Sequence, residues 1–386
     1  MRGKRVKKSD LGQTATATSH VFVFLEIFSQ EGGIQSYVQD VLQAYLEQSG
    51  HSLQAEVFLL RDAPGCHNPL ETGAIKFHYL KTLPAWQGRF KLATALLMCL
   101  GWRRPQRVLC GHIKLAPLVR SLCQPLRLPY TVLTYGKEVW EPLPPYERKA
   151  LQQADSIWTI SRYSRDRLCT ANRVPSQNVQ ILPCAIDGTL FTPGPKPTAL
   201  VEKYGLADAK VLMTVARLWS GDIYKGVDVT IRALPEIVQR FPALKYLVIG
   251  RGDDQPRLAR LAKELKVAEK VVFAGFVPTA ELVEHYRVAD AYIMPSQEGF
   301  GIVYLEALVC GIPVLSGDDD GSADPLQDGR LGWRVPHRDP DSVARACIEI
   351  LSGNDRRCHG QFLRQHTLEK FSKQSLSKRL QQLLAG

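Results

Sequence analysis

Between Thr72 and Lys137 the chain has no aspartate and no glutamate. That stretch carries eleven basic residues: Lys76, Lys81, Arg89, Lys91, Arg103, Arg104, Arg107, Lys114, Arg120, Arg127 and Lys137. It alone matches the formal net charge of +11. A surplus so unevenly placed implies that something anionic faces the window 72–137. No Cys-x-x-Cys pair occurs among the nine cysteines, their number is odd, and no apolar segment follows the basic start Met1–Lys8. These absences argue against a secretory signal and a disulfide framework, and predict reduced thiols in the cytoplasm. No run reaches the roughly 18 apolar residues that a membrane-spanning helix needs. The Gly-x-Gly-x-x-Gly fingerprint is missing too, which argues against a dinucleotide enzyme. No DNA- or RNA-binding motif accompanies the charge, so nucleic acid is not expected as a partner.

What the window does hold is Trp86-Gln-Gly-Arg89-Phe-Lys91 and, after an apolar run, Gly101-Trp102-Arg103-Arg104. Tryptophans near both ends of an apolar helix, with cations at its flanks, are the composition of a segment lying in a membrane interface. A core-facing helix with solvated basic ends fits the same pattern, and binary patterning does not separate the two. The first reading makes the chain a peripheral protein on the cytoplasmic face of an anionic membrane.

With 386 residues, 45% hydrophobic and 23% charged, the chain suits two globular domains. Strand-like and helix-like segments alternate through both halves, which predicts parallel sheets wound on both faces. A first unit covers 19–192, behind a basic tail at 1–18. The run Phe191-Thr-Pro-Gly-Pro-Lys-Pro197 has three prolines in five positions, so 193–200 reads as a linker. A second unit covers 201–360. The amphipathic segment 361–386 follows once that unit is complete. Asp339-Pro340 marks a helix start and Gly311 a helix stop.

Ligands of open parallel sheets bind beyond the carboxyl ends of the strands, and every candidate motif falls at such an end. Gly32-Gly33 lies between the first strand and first helix, where backbone amides can approach an anion. Arg217 and Lys225-Gly226 follow the first strand of the second unit and can offset the two charges of a diphosphate. His112 follows the strand at 108–110. The most informative run is Pro295-Ser-Gln-Glu298-Gly299-Phe300-Gly301-Ile-Val-Tyr-Leu-Glu306. Eight residues of helix turn about 80° net, so Glu298 and Glu306 make sense as two hands on one ligand lying over a helix start. For each of these residues taken singly, a cap, a turn or a solvated side chain is the plain alternative.

At this run the chain resembles the retaining glycosyltransferases of family 4, the glycosyl transferases group 1, which have the GT-B fold. The resemblance spans residues 20 to 352 and is strongest over 211–336. It implies an α/β architecture of two Rossmann-like domains around a cleft, with the final helix returning to the first domain. It assigns Glu298 and His112 to the donor sugar and Glu306 to the nucleotide ribose. Gly32, Gly33, Arg217, Lys225, Gly299, Phe300 and Gly301 fall around the diphosphate. The loop from Arg217 to Lys225 is longer than the shortest family version, and Tyr135 stands where many relatives carry histidine.

The implied activity is transfer of a sugar from a UDP- or GDP-linked donor to a glycan or lipid-linked acceptor hydroxyl. No cofactor is implied. Asp318-Asp-Asp320 contains the Asp-x-Asp metal signature of the other large glycosyltransferase fold, but nothing nearby supplies a further ligand, so it reads as loop and no metal is expected. A nucleotide-sugar epimerase of the same fold, or a catalytically silent anion-binding scaffold, remains an alternative.

Overall fold

The computed structural model describes residues 19–30, 32–48, 54–71 and 73–385. The basic tail 1–18, Glu31 and Thr72 lie outside them. Seven strands form the first sheet: β1 (Ser19–Phe24), β2 (Gln54–Leu59), β3 (Ile75–Tyr79), β4 (Arg107–Cys110), β5 (Tyr130–Thr134), β6 (Ser156–Thr159) and β7 (Val179–Ile181). Helices α1 (Gly33–Gln48), α2 (Ala85–Arg103), α3 (Ala116–Leu126), α4 (Pro145–Gln152) and α5 (Arg162–Asn172) connect them. The second sheet holds β8 (Lys210–Val215), β9 (Leu244–Ile249), β10 (Val271–Gly275), β11 (Ala291–Met294), β12 (Val314–Gly317) and β13 (Trp333–Val335). Around it lie α6 (Thr198–Tyr204), α7 (Val227–Arg240), α8 (Gln255–Glu264), α9 (Thr279–Val288), α10 (Ile302–Val309) and α11 (Pro340–Ser352). Two last helices follow, α12 (Gly360–Phe371) and α13 (Lys373–Ala385).

Every pairing between strands is parallel, in the orders β3-β2-β1-β4-β5-β6-β7 and β10-β9-β8-β11-β12-β13. Each sheet is therefore doubly wound, with one switch point where the order reverses: between β1 and β4, and between β8 and β11. Near-continuous apolar strands such as His20-Val-Phe-Val-Phe24 and Leu244-Lys-Tyr-Leu-Val-Ile249 suit sheets covered on both faces. Val23 of β1 pairs with both Phe58 and Cys110, burying all three.

Two expectations need correction. The linker 193–200 is not irregular throughout, because Thr198 begins α6 directly after Pro197. The preceding segment is clamped: Arg364 donates to the carbonyls of Phe191, Val309 and Gly188, and Arg287 to Thr192. The terminal segment is two helices broken at Ser372, and β13 was not expected, since its three residues sit between Gly332 and Pro336.

The chain crosses back at its end. Lys373 pairs with Asp40 of α1, Gln48 bonds the Ser377 carbonyl, and Arg379 bonds the Ile181 carbonyl. Phe300 and Phe371 meet edge to face at 5.7 Å, so one apolar core continues from α1 through α13 and α12 to α10.

The two domains also meet directly, through the loops that follow β5 and β11. Gly136, at φ 144°, lies against Gly299, whose carbonyl accepts the Ser161 hydroxyl at 2.6 Å. Beside this seam the Arg162 amide donates to Asp324 at 2.8 Å and its guanidinium reaches Asp328 at 2.7 Å. A methyl group at residue 299 would lie 2.7 Å from the Tyr135 carbonyl oxygen. Gly299→Ala should therefore part the seam, raising the radius of gyration in small-angle scattering and lowering the thermal midpoint by about 2–4 °C. Unchanged scattering with an unchanged midpoint would show that the seam does not need this contact.

Candidate functional site

The candidate segments follow the four strands that flank the two switch points. Gly32-Gly33 follows β1, His112 follows β4, Arg217 and Lys225 follow β8, and Glu298 follows β11. That is where doubly wound sheets leave a crevice for a ligand.

On the second domain, Lys225 and Glu298 form an ion pair, and both side chains are largely buried. Burial pulls the Lys225 ammonium down, but the Glu298 carboxylate and Tyr224 beside it more than offset this and hold it above the usual lysine range. Lys225 ends a tight turn over Ser220–Lys225, and Gly226 at φ 74° leads into α7. Arg217 pairs with the buried Asp222 of that turn at 2.9 Å while remaining 73% exposed. The loop between Arg217 and Lys225 thus supplies an internal counter-charge, Asp222, and a ring, Tyr224.

Glu298 is held through its backbone. Its amide donates to Asp320 at 2.7 Å, and its carbonyl accepts the Gly321 amide at 2.8 Å. Asp320 also takes the Ser322 amide at 2.9 Å. Burial pushes its carboxyl up to about 7, against the pull of these donors. Among the described residues no cluster of three or more His, Cys, Asp or Glu has the arrangement to hold a metal ion.

Gly299 and Gly301 expose backbone at the seam and at the start of α10, where Gly301 adopts φ 85°. Phe300 differs: its ring is buried against Phe371, so only its backbone is available to the cleft. Glu306 lies one helical level deeper and is 9% exposed. The Tyr286 hydroxyl donates to it at 2.6 Å. Burial pushes its carboxyl up to about 7, and the tyrosine bond only partly opposes this.

On the first domain, Gly32 and Gly33 are exposed, and Gly33 has open space around it. The approach to this turn is fixed by buried Asp62, which accepts the amides of Ile27 at 2.7 Å and Ser29 at 2.8 Å. His112 caps the turn Ile113–Leu115 by accepting the Lys114 amide at Nδ1, 3.1 Å away. Burial, then Lys114 and Arg61, depress it to about 4. The ring is neutral at pH 7, so with Nδ1 accepting, Nε2 carries the proton and can donate to a ligand oxygen. Tyr135 links this loop to the seam: its hydroxyl donates to the Gly111 carbonyl at 2.7 Å, and its own carbonyl abuts Gly299.

The structure thus brings Lys225 and Glu298 into contact. Arg217 is exposed beside them, Glu306 is buried within α10, and His112 and the Gly32-Gly33 turn belong to the first domain. Sequence reasoning missed Asp62, Asp222, Tyr224, Asp320 and Tyr286. In the sequence Lys137 is simply the last cation of the basic window 72–137, yet its Nζ lies 2.9 Å from the centre of the Tyr224 ring. Only the Asp-x-Asp motif hinted at any of these, and it suggested a different role.

Residues 209–353 match the family described as Glycosyl transferases group 1, and 32–185 match the Glycosyl transferase 4-like domain. The GDP-mannose-dependent alpha-(1-6)-phosphatidylinositol monomannoside mannosyltransferase of Mycolicibacterium smegmatis is 36% identical over 267 residues, 66% of this chain and 69% of that protein. A GDP-mannose-dependent monoacylated alpha-(1-6)-phosphatidylinositol monomannoside mannosyltransferase of Corynebacterium glutamicum is 26% identical over 92% of this chain and 94% of its own. In fold, the chain resembles Anabaena HepE, solved in complex with UDP, with a TM-score of 0.76 and 16% identity over 95% of this chain and 99% of that one. Sucrose-phosphate synthase of Thermosynechococcus elongatus gives 0.76 and 19%, over 95% and 98%. Two doubly wound domains meeting at a cleft are the GT-B arrangement, and with these matches the chain belongs to the group 1 glycosyltransferases of family 4.

Proposed function

We propose that this glycosyltransferase moves a hexosyl group, with retention of configuration, from a nucleoside diphosphate sugar to a hydroxyl of a lipid-linked acceptor. GDP-mannose is the first donor to try, because both mannosyltransferases compared above carry it in their names. The observation that carries the reading is the Lys225–Glu298 pair at the switch-point crevice: a charged ammonium for the departing diphosphate beside a carboxylate for the sugar hydroxyls.

In this reading Lys225, Arg217 and the amides of Gly33 and Gly301 stabilise charge on the diphosphate as it leaves, the largest lever available to such a site. Glu298 and the Nε2 proton of His112 fix the sugar, and Glu306 receives the ribose hydroxyls. The bond from the anomeric carbon to the phosphate oxygen breaks, and the acceptor oxygen bonds that carbon from the same face. The acceptor's proton passes to a phosphate oxygen of the leaving group. No cofactor or metal takes part in these steps.

The lipid-linked acceptor is supported by α2. Gly88, Leu92, Leu96 and Leu100, four residues apart, face inward, while Trp86, Phe90, Leu97, Met98 and Trp102 are exposed, Trp102 by 89%. Lys81, Arg89 and Lys91 are exposed beside them. Arg103, by contrast, is tied to Glu56 at 3.1 Å. An apolar outer face with free cations suits a peripheral site on the anionic, cytoplasmic side of a membrane. No helix among the described residues is long and apolar enough to cross one.

Three outcomes test this. Lys225→Ala and Glu298→Gln should each lower kcat/KM for sugar transfer about a hundredfold or more; activity equal to wild type in both would remove the site. The chain should sediment with vesicles containing phosphatidylinositol, and Phe90→Asp with Trp102→Asp should weaken this at least about tenfold without altering nucleotide binding. Equal sedimentation would refute the membrane face.

Glu306 gives a pH dependence with a definite sign. Its folded value, about 7, lies above the ordinary 4.5, so the native state holds the proton more tightly than the unfolded chain. The stability this contributes is whole below about pH 4.5 and is lost as pH rises through about 7. Glu306→Gln keeps an acceptor for Tyr286 but cannot ionise. Its stability relative to wild type should improve by up to about 3 kcal/mol between pH 5 and pH 8 in urea titrations. Parallel pH profiles for the two proteins would contradict the assignment.

A further inference from the structure

We propose that Lys137, a residue of the first domain, supplies a third cation to the distal phosphate of the donor. The proposal rests on the donor reading given above and adds a phosphate contact from the opposite wall of the cleft.

Lys137 follows β5 and comes directly after Gly136, the residue whose backbone lies against Gly299 at the seam. Its Nζ lies 2.9 Å from the centre of the Tyr224 ring, and the Lys225 Nζ lies 5.3 Å from that same centre. Two ammonium groups from different domains therefore share one aromatic ring, both within cation–π reach. The charged groups acting on Lys137 are Glu298, Asp222 and Lys225, all from the second domain. Burial pulls its ammonium down and Lys225 adds to this, while the two carboxylates pull the other way.

The local count is three cations, Lys137, Lys225 and Arg217, against two carboxylates, Glu298 and Asp222. Like charges gathered in a partly buried place repel, and a ring and two carboxylates do not neutralise three of them. A phosphate group does. Because Lys137 meets only donor-side charges, the donor diphosphate is favoured over an acceptor phosphate. The consequence is a coupling: the third cation reaches the leaving group only while the Gly136–Gly299 seam is closed, so full charge stabilisation and domain closure come together.

The test is calorimetric titration of wild type, Lys137→Gln and Lys137→Arg with GDP and GMP, and with UDP and UMP as a second pair, alongside steady-state kinetics. Lys137→Gln should weaken the diphosphate about tenfold or more and the monophosphate by less than about twofold, with kcat falling rather than acceptor KM rising. Lys137→Arg should recover part of the diphosphate affinity, a rescue that a structural role in packing on Tyr224 would not give. Unchanged diphosphate affinity in Lys137→Gln overturns the proposal, and a rise confined to acceptor KM overturns it in favour of an acceptor phosphate. If wild type binds neither GDP nor UDP, the donor reading itself fails and takes this inference with it. Should Lys137→Gln not fold, Lys137→Arg still decides through kcat, since a replacement that keeps the charge must retain more activity than Lys137→Met.

Discussion

The Asp320 carboxylate accepts the Glu298 amide at 2.7 Å, and the geometry of the cleft hangs on that bond. The short turn from Pro295 to Gly301 carries three different duties. It presents the Glu298 side chain to Lys225, offers the Gly299 carbonyl to Ser161 across the seam, and opens α10 at Gly301. A turn with two glycines in it has little conformational preference of its own. Asp320 replaces that preference with a buried acceptor pinned by Ser322. Leaving that acceptor unpaired would be expensive in a dry interior, so the turn is pulled to one position. Since the same residues reach the first domain, the domains are set relative to each other by the bond that sets the carboxylate.

Asp62 repeats this device in the first sheet. It takes the amides at 27 and 29 just beyond β1, before the Gly32-Gly33 turn. Neither aspartate could be read from the sequence as an anchor, because each acts on a backbone 22 to 35 residues away. What could be read was local. Apolar strands alternating with amphipathic helices gave the class of fold, since periodicity is a property of neighbouring residues. Strand order was not legible: nothing near β4 says that it pairs with β1, yet this pairing makes the switch point of the first sheet. Short elements also escaped. β13 has three residues to declare itself, and the prolines that marked a linker also marked the entry to α6. Lys137 was misplaced for a related reason. Charge composition over a window does not say which side of the sheet each residue faces, and the chain turns at Gly136 into the cleft.

The first domain consequently has two sides of opposite character. Facing the second domain, it presents backbone at Gly136, the Ser161 hydroxyl, the Arg162 guanidinium and Lys137. Facing away, α2 shows aromatic and aliphatic side chains to solvent over most of its length. Exposed apolar surface of this extent is rarely left uncovered in a soluble monomer. The helix does not owe its position to that face. It is held by Leu92, Leu96 and Leu100 beneath, and at its end by Arg103 on Glu56, which also lies 2.8 Å from His78. The outer residues are thus free to differ without disturbing the sheet.

The Lys225–Glu298 pair makes the same kind of argument inside the cleft. As a source of stability it is a poor choice: removing two charges from water offsets most of their attraction, and well-packed apolar residues in their place would serve as well or better. Its neighbours compound the difficulty, since Lys137 brings a further like charge toward Lys225 across Tyr224. A fold selected for stability alone would not place two ammonium groups around one ring at the joint between its domains. Each group does have a use if the partner it meets during catalysis is not the one it meets here. An ammonium held charged by a carboxylate can turn to a phosphate without changing its protonation, and the freed carboxylate then has both oxygens for sugar hydroxyls. The ion pair holds the Lys225 ammonium charged and keeps the two groups close and oriented, so that binding exchanges partners and need not create a cation in a buried place.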